Sequence, residues 1–318
     1  MPHLALVATG GTIAGLGSDT RYTASQLGAD ALLAAQPALG ALATWQLHQP
    51  YSLDSRDLTP EHWLRLASLL RTLLDDPAID GIIVTHGTDT LEETALALDL
   101  LLPTGKPVVL TAAMRPANSP QADGPTNLLQ AAQVACSTDT WGRGVLVVAH
   151  GRIIAGRHCR KCHTSALDAL RPSVGAAPGH VDNGGPHFLE PASGECPAPI
   201  PAIPAHLPRV DILYGQTGMP GDLVTACVAG GTRGLVLALT GNGSVPHSLR
   251  PALREAQAAG VVVVRGSRIP NGGVWTDHNE DDAANGFIAT GSYTPQQARV
   301  LLMLALAAGI PPAGMFHA

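Results

Sequence analysis

Two short turns carry the residue types of a hydroxyl nucleophile and its helpers. Ala8-Thr9-Gly10-Gly11-Thr12-Ile13-Ala14-Gly15 closes one apolar run, and Thr85-His86-Gly87-Thr88-Asp89-Thr90, followed by Leu91-Glu92-Glu93-Thr94, closes another. A threonine beside glycines presents an exposed hydroxyl, and small neighbours such as Gly11 leave backbone N–H groups free to stabilise an oxyanion. A hydroxyl stays a weak nucleophile until a base takes its proton, and Tyr22 and Lys161 are the candidates. Asp89 offers a carboxylate for a substrate ammonium. Each turn also has a plain reading: Gly-Gly-Thr after a strand is usually only a turn, and Thr-Asp before an apolar helix usually only an N-cap. The glycine turn is no phosphate loop, because no Gly-Lys-Ser/Thr follows and its glycines miss the dinucleotide spacing.

The elements that must position these turns follow from hydrophobic patterning. Leu4–Ala8, Ile79–Thr85, Pro107–Thr111 and Gly144–Ala149 read as strands. Between them lie helices: one opens at Thr59-Pro60, one at Thr90 with Glu93 at capping-box spacing and running to Leu102, and one runs from Pro125 through Cys136. Continuous apolar strands separated by helices predict an α/β fold with a mainly parallel sheet covered on both faces. Ligands in such sheets bind beyond the carboxyl ends of the strands, so both turns are expected to face one crevice. Six prolines between Pro191 and Pro208 prevent helix and sheet, predicting a stiff linker. A second series follows, with strands at Val210–Tyr214, Gly234–Thr240 and Val261–Arg265 and a last helix from Thr294-Pro295 to Ala308. The expected organisation is a larger N-terminal α/β domain over 1–190, a linker over 191–208 and a smaller C-terminal α/β domain over 209–318.

Composition excludes several partners. The chain has 318 residues, 45% hydrophobic and 14% charged, which is ample for a buried core. A net charge of −6 supplies no basic excess for nucleic acid, and no Lys/Arg run marks a membrane surface. Met1-Pro2-His3 leads into an apolar run too short for a signal h-region, and no stretch of about 18 apolar residues occurs. The expected location is the cytoplasm. Five cysteines form no disulfide framework.

The pair of turns resembles the two signatures of the bacterial-type asparaginase/glutaminase family. Similarity extends to Ala112-Ala113-Met114-Arg115-Pro116, to Ala122-Asp123-Gly124-Pro125-Thr126-Asn127-Leu128, to Gly241-Asn242-Gly243 and to Ala298-Arg299-Val300-Leu301-Leu302. The resemblance implies hydrolysis of the L-asparagine side-chain amide by double displacement, with Thr12 forming the acyl-enzyme. Tyr22, in Arg21-Tyr22-Thr23, corresponds to the tyrosine of a mobile loop that assists as base. Thr88, Asp89 and Lys161 correspond to a second set that activates water or shares in the proton transfers. Ser55, in Leu53-Asp54-Ser55-Arg56-Asp57, corresponds to the serine that grips the α-carboxylate, Asp89 to the group that binds the α-ammonium, and the backbone at Ala113 to the wall of the amide pocket. The resemblance also implies a homo-oligomer, a dimer or tetramer whose sites are completed by a neighbouring subunit. Neither metal nor other cofactor is expected.

Three substrate-facing positions depart from the common pattern. Arg56 stands where many members carry glutamine, Asn279 where a glutamate is frequent (Glu280 is next to it), and Ser244 where members carry asparagine or serine. A guanidinium near a bound ammonium repels it unless it points away or pairs with a carboxylate, so weaker or rearranged recognition of the amino group is expected. His158-Cys159-Arg160-Lys161-Cys162-His163 has the spacing of a haem-attachment motif and of a metal site, but no second Cys pair accompanies it. Incidental or core-facing cysteines are the favoured reading, a redox-sensitive pair the next. L-glutamine is the alternative substrate, since one methylene is worth only about 1–3 kcal/mol in a pocket. A catalytically silent amide-binding protein would have lost a threonine or the lysine. The related subunit acting on charged tRNA would need an RNA-binding region and a basic surface, which this chain lacks.

Overall fold

Leucine-, isoleucine- and valine-rich runs without polar alternation form the central strands of the first of two units, Met1–Ile203 and Pro204–Ala318. The computed structural model describes residues 1–192 and 200–316. In the first unit β1 (His3–Ala8) leads into a hairpin, β2 (Leu16–Ser18) and β3 (Arg21–Thr23). Two short helices, α1 (Ala29–Ala34) and α2 (Ala38–Leu42), precede β4 (Thr44–His48). There follow α3 (Pro60–Asp75), β5 (Gly81–Thr85), α4 (Leu91–Leu101), β6 (Val108–Thr111), α5 (Gly124–Cys136) and β7 (Val145–Ala149). Shorter strands end the unit: β8 (Arg152–Ala155), β9 (Cys159–Lys161), β10 (Leu170–Pro172), β11 (Gly179–Asp182) and β12 (Gly185–Phe188).

An eight-stranded sheet runs in the order β12-β11-β8-β7-β6-β5-β1-β4. The five strands from β4 to β7 are parallel, as expected, whereas β8, β11 and β12 extend the sheet antiparallel. From β1 the chain moves to β4 on one side and then to β5 on the other. The strand order therefore reverses between β1 and β5, and the two threonine turns leave the carboxyl ends of these two neighbours. Leu4, Leu6, Ile83, Val109, Leu146 and Val148 build one core with Leu128, Ala131 and Val134 of α5.

The capping box expected at Thr90 does not form. Its hydroxyl makes no cap hydrogen bond to α4 and donates instead to the Ser55 carbonyl at 2.8 Å, tying the second turn to the segment that follows β4. Of the expected proline-rich linker, residues 193–199 lie outside the described residues. Ile200 is buried, and its N–H donates to the Leu100 carbonyl at 2.6 Å.

The second unit is a four-stranded parallel sheet in sequential order. It comprises β13 (Val210–Tyr214), α6 (Asp222–Ala229), β14 (Gly234–Leu239), α7 (Arg250–Ala258), β15 (Val262–Ser267), α8 (Asp282–Asn285), β16 (Phe287–Ala289) and α9 (Pro295–Ala308). The last helix opens with a capping box between Thr294 and Gln297. Arg265 is fully buried, where Asp282 and the carbonyls of Asn242 and Trp275 satisfy its guanidinium.

Candidate active site

Glycine contacts bring the two turns together. Gly11 has φ 81°, and a Cβ there would lie 2.4 Å from the Cα and N of Gly87. A Cβ on Gly87 would in turn lie 2.5 Å from Ser55 Oγ. Only glycine admits this packing, which stacks three separate segments at the strand reversal. Thr12 opens a 3₁₀ turn (Thr12–Ala14) directly after Gly11 and is largely buried. The Gly11 N–H is already engaged, donating to the Leu53 carbonyl at 3.0 Å and to Ser25 Oγ at 2.9 Å. It is therefore not one of the free donors expected from the glycine-rich sequence.

Tyr22 sits on β3 opposite Gly17, and its phenolic oxygen lies 2.8 Å from Thr12 Oγ. The hairpin that carries it is held from outside: the Gly17 N–H donates to Asn118 Oδ1 at 2.8 Å, and the Ala117 N–H to the Gly15 carbonyl at 2.9 Å. On the neighbouring turn, Lys161 Nζ lies 2.9 Å from Thr88 Oγ and 2.5 Å from Asp89 Oδ1. Thr88 is buried, while the Asp89 side chain is 56% exposed and open to a ligand. Five side chains expected to act together, Thr12, Tyr22, Thr88, Asp89 and Lys161, thus form two hydrogen-bonded groups at the ends of adjacent strands.

Ser55 is buried at the start of a 3₁₀ turn (Ser55–Asp57) whose N-cap, Asp54, accepts the Arg56 N–H. The other Asp54 oxygen stands 3.1 Å from the Arg56 guanidinium, so this arginine is paired with a carboxylate and largely exposed. Ala113 is buried just beyond β6. Its segment is fixed by Asp123, which accepts the N–H groups of Met114 and Arg115, and by Asn127, which donates to the Ala112 carbonyl at 2.9 Å. His86, inside the second turn, is fully buried, and burial pushes its imidazole down to about 4 despite the nearby Gly87 carbonyl. That histidine is neutral at physiological pH.

Ser244 and Asn279 lie in the second unit, with Asn279 Nδ2 3.5 Å from Ser244 Oγ. Asp277 and Asn279 both adopt left-handed backbone, at φ 60° and 65°. Glu280 does not stand in for a carboxylate at position 279. It is buried, 2.8 Å from both the Arg250 guanidinium and the Val245 N–H.

Comparison with known proteins accounts for both units. Residues 3–193 match the model "Asparaginase, N-terminal", and residues 209–315 match "Glutaminase/Asparaginase C-terminal domain". The chain belongs to the asparaginase family. L-asparaginase 2 of Escherichia coli is 38% identical over 96% of this chain and 89% of its own length. The glutaminase-asparaginase of Acinetobacter glutaminasificans is 35% identical over 96% of this chain and 95% of its own length. Among solved structures, a probable cytoplasmic L-asparaginase from Campylobacter jejuni superposes with a TM-score of 0.93 at 35% identity, covering 99% of this chain and 98% of that one.

Within this asparaginase-family chain the Cys159/Cys162 pair divides. Cys159 is fully buried in β9, and burial raises its thiol well above the ordinary range, which suppresses the thiolate. Cys162 is exposed. Among the described residues no group of three or more His, Cys, Asp or Glu is placed to hold a metal ion. Ser25, Asp54, Glu92 and Asp123 were not singled out by sequence reasoning. Asp54 had a local signal, an acidic residue two before Arg56, and Asp123 had Asn127 four residues on, whereas the partners of Ser25 and Glu92 are backbone N–H groups farther along the chain.

Proposed function

We propose that this chain hydrolyses L-asparagine to L-aspartate and ammonia through a threonyl ester. The observation that carries the reading is the 2.8 Å contact of Tyr22 with Thr12 Oγ beside the hydrogen-bonded set of Thr88, Asp89 and Lys161. Thr12 Oγ attacks the side-chain carbonyl carbon, Tyr22 receives the hydroxyl proton, and the C–N bond breaks as the nitrogen is protonated and leaves as ammonia. Water, activated by Thr88 with Lys161, then cleaves the ester and restores the threonine. Ser55 binds the α-carboxylate, Asp89 the α-ammonium, and the wall at Ala113 faces the amide. With the Gly11 N–H committed elsewhere, Gly11 shapes the turn, and the N–H groups of Thr12 and Thr88 are the candidates for the oxyanion. Arg56, Ser244 and Asn279 tune recognition of the amino group. The site works in a homo-oligomer, a dimer or a homotetramer with shared sites, and in the cytoplasm. Domains over 1–190 and 209–318, joined through 191–208, complete the reading.

L-glutamine is the second substrate to be weighed, because a 35% identical relative is named glutaminase-asparaginase. Ammonia release from both amides, using the parent protein and Thr12→Ala, tests the proposal. Fast release from L-asparagine that Thr12→Ala reduces by at least about 10³-fold is expected. Turnover that survives the substitution removes Thr12 as nucleophile.

A further inference from the structure

Lys161 ends a strand of three residues that pairs only with another of three, β10. A two-stranded ribbon of this length has little stability of its own, so something outside it must set where Lys161 stands. In an antiparallel pair, alternate N–H groups face the partner strand. Here the Cys162 N–H donates to Ala169 of the ribbon at 2.7 Å, and the Lys161 N–H points the opposite way. It donates to Glu92 Oε2 at 2.8 Å.

Glu92 belongs to the first turn of α4, the helix that follows directly from Thr88 and Asp89. One stretch of chain, from 88 to 92, therefore grips Lys161 at both ends. Glu92 takes its backbone N–H, while Thr88 and Asp89 take its ammonium. Glu92 is only 7% exposed, and burial raises the pKa of its carboxylate, opposed by the Lys161 N–H and by the charges of Arg160 and Lys161. A buried carboxylate is costly unless its partners compensate, and here the partners are the strand that it orients. The start of α4 adds a favourable field for a negative charge.

We infer that Glu92 is the positioning residue for Lys161: its carboxylate fixes the β9 backbone and, together with Asp89, adds to the negative charge against which Lys161 is held over Thr88. The inference rests on the catalytic reading of Lys161 given above. It involves no contact between Glu92 and substrate.

Kinetics of Glu92→Gln and Glu92→Ala with L-asparagine across pH, with Lys161→Ala as control, test it. Glu92→Gln keeps an oxygen acceptor and loses the charge. It should melt within a few degrees of the parent and lose about tenfold in kcat with little change in KM. One of the two anions beside the Lys161 ammonium is then gone while Asp89 remains, so the basic limb of the pH–rate profile should move to lower pH. Glu92→Ala also loses the acceptor and should drop kcat by about 10²-fold, the scale of an ångström misplacement. Should the alanine variant not fold, the glutamine variant alone decides. Parent-like kcat and pH profile in the Glu92 variants, with Lys161→Ala inactive, overturns the inference. So does an activity loss with an unmoved pH profile, which would assign Glu92 to packing only. Full activity in Lys161→Ala would instead defeat the catalytic reading on which the inference rests.

Discussion

The Arg56 guanidinium stands 3.1 Å from Asp54 with its side chain 73% exposed, so its field at a bound ammonium is both paired and screened. Replacing it with glutamine should lower KM for L-asparagine by no more than about threefold, the scale of an exposed ion pair. Steady-state kinetics of Arg56→Gln check this, and an unchanged KM removes Arg56 from substrate recognition. Asn279 differs, because the adjacent Glu280 does not stand in for a carboxylate there: it is spent on Arg250 and Val245. At this scale Thr12, Thr88 and Asp89 were legible as candidates because small residues beside a threonine announce a turn, although both threonines are buried rather than exposed. Lys161 was one of two candidate bases in the sequence, and its place beside Thr88 and Asp89 came only through the resemblance. Glu92 was silent because its partner is 69 residues away and is a backbone N–H, which no side-chain pattern records.

At the scale of elements, the two turns meet through Gly11 and Gly87 rather than through their threonines. Gly11→Ala should therefore act on both at once. Its positive φ costs about 1–2 kcal/mol for an L-residue, and the new methyl meets the Gly87 backbone, which has no side chain to rotate away. We expect a melting temperature lower by several degrees and at least about tenfold less kcat/KM. Calorimetry with parallel kinetics measures both, and parent-like values in the two would show that the turns are not rigidly packed. Strands buried on both faces were readable as unbroken apolar runs, which is why β1, β5, β6, β7, β14 and β15 were anticipated to within a residue or two; β13, only partly buried, was readable from its Ile-Leu-Tyr run. Two outer strands of the first sheet were not: β4 (Thr-Trp-Gln-Leu-His), at one edge, and β11 (Gly-His-Val-Asp), next to the other, are half exposed or alternate, with no apolar run to betray them. Thr90 misled for a related reason. Its spacing to Glu93 fits a capping box, but the Ser55 carbonyl, remote in sequence, takes the hydroxyl.

For the whole molecule, one buried and one half-buried imidazole shape how stability responds to acid. Burial lowers His86 to about 4, and burial with the nearby Arg157 charge lowers His158 to about 4, both from 6.5. Between these values the unfolded chain binds protons that the folded chain refuses, so stability should be level with respect to these groups above about pH 6.5. It should then fall as the pH drops towards 4. His86 alone is worth about 3 kcal/mol over that window. Urea midpoints across pH 4–7 should show the decline, and His86→Leu should flatten it. An equally steep decline in that variant would mean that other groups carry it. The two-part organisation and the parallel centre of the first sheet were legible from the order of strands and helices. The antiparallel extension by β8, β11 and β12 was not, because its strands are short and partly polar. The glycine contact has a further consequence for anyone redesigning the protein. With the Gly11 and Gly87 backbones in contact and the Ser55 side chain packed on Gly87, this junction has no slack, and a larger residue at either glycine would dismantle it. The segment at Ala113 is held instead by side chains, Asp123 accepting the Met114 N–H and Asn127 donating to the Ala112 carbonyl, so substitutions at those two residues would shift that segment without touching the glycine contact.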